Sequence, residues 1–545
     1  MRLRLSGGVL AATVIVIGSA TPQAGEAPRM AAVTAASAPV AATAAAPAAP
    51  SERVGRVSLV LGTVEFRGSG DAQWSPAAIN DPVAPGVSLR TDRQARAEFR
   101  VGADTIDLDG GTEIAVAKLD RRVAEIAVRR GRIDLDLRRV AAGENVQIDI
   151  PQGGVWLLQS GRYDIEAGGA DRPARIAVFT GDARFVGSGA DFPIEAGDRI
   201  VLGGAGTAAP TTEPASGDEF AEWCGARAVD DARLGAPYFV SREMTGYAAL
   251  DAAGSWRATE KYGELWVPKA APEDWVPYRN GHWRWLAPWG WSWVDDQPWG
   301  FATSHYGRWL LDDGRWSWAP GKLMPNPVWA PAVVAFLGTP GVGLSYADGP
   351  GPAIAWFPLA PGEIYWPSYT ADLGYIRAVN TANVADLSAV RMRKDGEPPA
   401  EIVNAHFANR EFASVVPRPI FVAGGPVATA LVSIPDERLR NAPAIMGSPQ
   451  IGPPPVRVAA ASPAREHAST PPAAKAAKGG NWASLVHVAE IRSRNFQESA
   501  RLRFAHLRVP AYAELSRLRH TIVLRVARAD HAASHSEARK RVIRR

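Results

Sequence analysis

The chain has 545 residues, 46% of them hydrophobic and 21% charged, with a net charge of +4 and one cysteine. This composition excludes wholesale disorder, and at about 150 residues per domain the length corresponds to three or four units. A lone cysteine excludes an internal disulfide framework and any multi-cysteine zinc or iron–sulfur site.

Arg2 and Arg4 precede the apolar run Val9 to Ile17, and Gly18, Ser19 and Ala20 follow it. The run is shorter than the roughly 20 residues a bilayer-spanning helix needs, so residues 1–27 read as a secretory signal peptide. Cleavage is expected after Ala20, or later near Gly25 and Ala27; an uncleaved anchor is the alternative. No cysteine follows for lipid attachment. Residues 28–52, almost all Ala, Pro, Val, Thr and Ser, form a linker. Where a second membrane lies outside the first, the mature protein is expected in the periplasm or at the outer envelope.

Residues 53–205 change texture. Short runs alternate apolar with polar residues: Val57 to Val64, Ala97 to Val101, Thr105 to Leu108, Ile114 to Ala117, Val123 to Val128 and Arg132 to Leu137. Asp109-Gly110-Gly111, Arg130-Gly131 and Thr180-Gly181-Asp182 supply turn chemistry between them. Period-two alternation broken by glycine predicts a β domain, either a sandwich or a wound solenoid. Asp104, Asp107 and Asp109 suggest calcium ligands but lack the spacing of a calcium loop, and are expected on a solvated strand face.

The order Gly62-Thr63-Val64, Gly86 to Thr91, Ala97-Glu98-Phe99, Thr105 to Thr112 and Val128 to Ile133 resembles the FecR-type domain. The resemblance implies an envelope β-module. In that family it is best known from iron-citrate signalling, where it carries a signal from an outer-membrane receptor to a sigma factor. The cytoplasmic segment and membrane helix that would precede such a regulator are not recognisable, so the resemblance extends to the β-module alone.

A linker over 206–218 leads into a tryptophan-rich domain over 219–440. Fifteen of the 19 tryptophans lie between Trp256 and Trp366, several as pairs spaced by two: Trp283/Trp285, Trp291/Trp293 and Trp316/Trp318. That spacing puts both rings of a pair on one face of a strand. The two Trp-Ser-Trp triplets are 25 residues apart, with Ala287 to Gly290 and Asp312 to Gly314 as turns, so degenerate hairpin repeats forming a small twisted sheet are expected. The stretch Tyr247 to Tyr278, the run Gly281 to Trp309 and Trp356 to Glu363 resemble the tryptophan-rich domain of unknown function that accompanies FecR-type domains in proteobacterial secreted proteins. That family implies architecture and compartment, not chemistry.

Two roles fit the rings. They fill a core poor in aliphatic residues, or they form an exposed platform on which sugar rings stack. The candidate ligand-binding residues for the second role are Trp283, Trp285, Trp291, Trp293, Trp316, Trp318, His305 and Tyr306. No catalytic set, metal set or cofactor motif is recognisable. His282 and His305 have no partner at metal spacing, and Asp295-Asp296 and Asp312-Asp313 lie in turn-like sequence. Cys224, beside Trp223, reads as a small buried thiol or the half of an intermolecular bridge.

A Pro/Ala linker over 441–480 precedes a basic tail. Residues 481–545 hold 14 Lys+Arg against 5 Asp+Glu, with apolar residues at helical spacing on either side of Pro510. Two amphipathic helices are expected, suited to an anionic membrane surface or another polyanion, with an internal clasp on the protein's own acidic domains as the alternative. The whole is a mainly β chain with a basic α-helical tail. Its expected role is a non-catalytic exported envelope scaffold or sensor-like module, or else a carbohydrate or peptidoglycan binder. Its expected partners are an envelope protein or polysaccharide and no nucleic acid.

Overall fold

The computed structural model describes residues 50–454 apart from 170, 188, 204–208, 232–233, 345–350 and 394–397. The expected signal peptide, the Ala/Pro segment up to residue 49, residues 455–480 and the basic tail lie outside the described residues. The described residues belong to one compact unit and are mainly β. Among them no helix is long and apolar enough to cross a membrane.

Two sheets form the first part. One runs, neighbour to neighbour, through Pro82–Val83, Gly55–Leu61, Arg96–Val101, Asp104–Leu108, the second half of Val123–Leu137, Gly161–Ala167, Ala174–Val178, Asp198–Leu202 and Thr211–Pro214. The other runs through Ser75–Pro76, Val64–Arg67, Ser88–Thr91, Glu113–Leu119, the first half of Val123–Leu137, Asn145–Ile150, Gly153–Leu157, Ala183–Gly187 and Ala190–Ile194. Val57, Ile106, Ile133 and Ile165 from the first sheet share one core with Phe66, Ile114, Ile126 and Ile148 from the second. The architecture is a sandwich in which successive hairpins alternate between layers.

Three local expectations change. Arg130-Gly131 is not a turn, because Val123–Leu137 continues as one 15-residue strand that passes from one sheet to the other. Gly131 makes this crossing with φ +84°, where a Cβ would lie 2.4 Å from the Thr112 Cα. Asp104 and Asp107 are buried rather than solvated, and their spacing of three puts them on opposite faces of the strand. Asp104 meets Arg53 at 2.8 Å, while burial pushes its carboxyl up to about 6. Within the segment read as a linker, Thr211–Pro214 is an edge strand.

The tryptophan-rich part begins with the helix Glu219–Asp231. Its described residues form three sheets rather than one. The first has the order Gly254–Thr259, Gly263–Pro268, Arg315–Ala319, Arg308–Asp312. The second is the hairpin Gly281–Leu286/Gly290–Asp295, and the third has the order Ser414–Pro417, Ala353–Pro358, Val334–Leu337, Ala444–Met446. The two expected hairpins exist with the expected turns, but the fully buried helix Gly300–His305 separates them. The two hairpins therefore do not pair with each other: Arg315–Ala319 joins Gly263–Pro268 at Trp318 and Trp266, and Gly281–Asp295 packs through its tryptophan face. Ala444–Met446 and the buried Ile451 extend this body beyond residue 440.

The two parts are joined by buried polar contacts. Arg56 Nη1 donates to Asn80 Oδ1 at 2.7 Å and to the Pro298 carbonyl at 2.8 Å. The Asn80 amide donates to the Asp295 and Gln297 carbonyls at 2.9 and 2.7 Å, and Gly102 N donates to Thr245 Oγ1 at 2.9 Å.

Candidate functional site

Cross-strand pairing in the tryptophan hairpin sets Trp283 opposite Trp293 and Trp285 opposite Trp291, so one face carries four indoles. The inner pair is core. Trp283 has ring centroids 5.3–5.4 Å from Trp293, Phe336, Trp356 and Phe421. The outer pair approaches the surface. Trp285 is half-buried and meets Trp291 edge-on at 5.6 Å and 84°, while the Trp291 indole donates to the Ile451 carbonyl at 2.9 Å.

Among the described residues strand Gly281–Leu286 pairs only with Gly290–Asp295, and a groove of about 620 Å³ runs beside it. Its second wall is the helix Arg418–Ala423 with Gly424, which approaches so closely that a Cβ there would lie 3.1 Å from the Trp283 carbonyl. The third wall comes from the first part of the chain, as Asp71, Gln73 and Ser75. Arg284 ties this wall down. Its Nη1 donates to Ser75 Oγ at 3.1 Å, its Nε lies 2.9 Å from Asp81 Oδ1, and its guanidinium stacks 4.6 Å from the Phe66 ring. His282 is pushed down to about 4 by burial and then by the Arg284 charge, so it is neutral at pH 7. The volume falls within the roughly 300–1,000 Å³ of small-ligand sites. An indole face among a neutral imidazole, a guanidinium, an amide, a hydroxyl and a carboxylate is a lining able to stack on a ring and hydrogen-bond its edge.

Of the residues expected to bind ligand, the structure brings Trp283, Trp285 and Trp291 to this groove. The other five do not form an exposed platform. Trp293 and Trp318 have no exposure, and their indoles donate to Asp295 Oδ2 and the Tyr306 carbonyl, both at 2.9 Å. Trp316 packs edge-on to Phe412 at 5.1 Å. His305 lies 4.9 Å from the Trp329 ring, with Nδ1 2.7 Å from the Ala330 carbonyl, and burial pushes it down to about 3. His305 and the buried Tyr306 line a cavity of about 30 Å³, room for about one water molecule. The physical reason is volume: with few aliphatic residues nearby, the indoles are needed as filling.

The sequence offers His282 only as a metal ligand without a partner and gives no role to Arg284, although their alternation with Trp283 and Trp285 marks the opposite face of the same strand. Asp71, Gln73 and Ser75 carry no such mark, because they reach the groove across roughly two hundred residues of chain.

Residues 247–363 match a family of unknown function, DUF6600. The match takes in both tryptophan hairpins and the groove strand, and is narrower than the span 219–440 read as the tryptophan-rich domain. Two crystal structures of a candidate anti-sigma factor from Parabacteroides distasonis are similar at 12% and 11% identity, each with a TM-score of 0.23 and each over 25% of this chain. The chain spans 63% and 64% of the length of those two chains. No curated protein matches the sequence.

Proposed function

We propose that this protein is a non-catalytic, exported envelope module that acts as a sensor-like binder, with the groove beside Gly281–Leu286 as its ligand site. One observation carries the reading: the groove is walled jointly by Asp71, Gln73 and Ser75 from the sandwich and by His282 to Trp285 from the tryptophan hairpin. A ligand there touches both parts, so its occupancy bears on how they hold together. The wall chemistry favours a sugar ring, with the apolar face on Trp285 and hydroxyls toward Arg284, Gln73 and Ser75. The sandwich is, in this reading, a FecR-type domain retained as a β-module, and the compartment is the periplasm or outer envelope.

The test is retention of the full chain on envelope polysaccharide and on peptidoglycan fragments. Saturable binding that weakens about tenfold in Trp285→Ala supports the reading, since one lost stacking contact is worth about 1–1.5 kcal/mol. Absence of retention on every polymer leaves a scaffold without a glycan ligand and overturns it.

A further inference from the structure

A second feature lies away from the groove, beneath the helix Glu219–Asp231. Strand pairing sets Glu98 opposite Asp107, Asp107 opposite Asp134 and Asp134 opposite Asp164. Four carboxylates thus stand side by side across four strands, at 1%, 3%, 1% and 4% exposure. Like charges directly opposite each other repel, and more so out of water.

Three of the four have their own cations. Glu98 is held by Arg100 and Arg227, each with an Nε contact of 2.7 Å. Asp134 is held by Arg162 at 3.0 Å, and Asp164 by Arg132 Nε at 2.8 Å. Among the described residues Asp107 is the exception: it has no salt bridge, it meets the Cys224 thiol, and its Oδ1 has no hydrogen-bond partner. Thr105 is two positions earlier on the same strand face and 4% exposed, and its Oγ1 likewise has no partner. Two buried side-chain oxygens without partners in one acidic site are the mark of a missing electropositive group. Ligand atoms of Asp107, Asp134 and Cys224 all lie within 4.8 Å of one another.

We propose that Asp107, Asp134 and Cys224 bind one thiophilic divalent cation, with Zn²⁺ as the best fit. The site lies outside the groove and does not depend on the function proposed for it. Two carboxylate oxygens and a thiolate are a Zn²⁺ donor set, and three protein ligands leave a fourth position open to water. The charge balances as well: the ion's two positive charges match an ionised Asp107 and a Cys224 thiolate, while Asp134 keeps Arg162. Arg162 is the outer support, because it also donates to the Ala221 carbonyl of the covering helix. Without the ion, burial and the neighbouring carboxylates hold the thiol protonated and the Asp107 carboxyl well above its usual range. Binding therefore displaces the thiol proton, and the Asp107 proton where it is present, into solvent.

The experiment uses the full chain, stripped with chelator and titrated with Co²⁺ and then Zn²⁺. The expected result is one Co²⁺ per chain with a near-ultraviolet thiolate-to-cobalt charge-transfer band that Zn²⁺ abolishes. Cys224 is the only cysteine, so it alone can supply that band. Affinity should tighten at least about tenfold per pH unit while the thiol proton has to leave. Cys224→Ser should remove the band, and Asp107→Asn should weaken affinity by about tenfold or more. Asp107→Asn is a near-isosteric change at a carboxyl that burial keeps raised, so an unchanged circular dichroism spectrum is expected to show that it folds. No charge-transfer band in the native chain overturns the proposal, as does equal Co²⁺ affinity in Asp107→Asn.

Discussion

The Asn80 side-chain amide donates to the main-chain carbonyl of Asp295 at 2.9 Å, across the junction between the sandwich and the tryptophan hairpin. Asn80 has no exposure and sits at φ +70°, a conformation that Asn tolerates better than most non-glycine residues. It also accepts from Arg56 and donates to Gln297, so one side chain satisfies partners from both parts. Asn80→Ala removes these bonds, leaves buried groups unpaired and places alanine in a strained backbone. A loss of about 2–5 kcal/mol is expected in urea denaturation. A loss below about 1 kcal/mol would show that the junction does not depend on this residue.

Trp283 and Trp285 are two residues apart on one strand face and should respond differently. Trp283→Ala empties the centre of the aromatic cluster and is expected to cost about 3–5 kcal/mol. Trp285→Ala, at the groove mouth, should cost about 1 kcal/mol of stability while removing the ligand contact. Paired denaturation curves for the two variants check this; equal costs would refute the division into core and groove.

Gly131 lets Val123–Leu137 pass between sheets. Gly131→Ala forces a Cβ to within 2.4 Å of the Thr112 Cα at φ +84°. Destabilisation by more than about 2 kcal/mol is expected, measured as a fall in the urea midpoint. A neutral substitution would mean that the strand does not bend there.

Burial pushes the Asp295 carboxyl up to about 7, against hydrogen bonds from the Trp293 indole and Gln297 N that pull it down. A raised carboxyl stabilises the fold below its unfolded value near 4 and loses that contribution as pH rises through about 7. His305 and His282, pushed down to about 3 and about 4, act in the opposite sense, because their contribution is present above about 6.5 and lost in acid. The native chain should therefore lose stability relative to Asp295→Asn between pH 4 and 8. The difference between their denaturation midpoints over that range is the measurement; a flat difference would contradict the assigned burial of Asp295.

Local chemistry along the chain was enough for the mainly β class, most strand positions in the sandwich and both tryptophan hairpins with their turns. Period-two alternation and glycine-rich turns are properties of neighbouring residues, so they are legible without the fold. The same holds for the shared face of each Trp pair, which follows from spacing alone.

Packing decided the rest. Whether an indole is core or surface depends on what lies opposite it, and for Trp283 and Trp293 that is Phe336, Trp356 and Phe421 from later in the chain. The merging of two expected strands at Gly131 follows from a second sheet that takes up the same strand. The groove needs Asp71, Gln73 and Ser75 beside Arg284, and the acidic row needs four strands in register beneath Cys224. A carboxylate at Asp107 looks solvated when read with its neighbours, because burial is a property of the helix that covers it rather than of the strand that carries it.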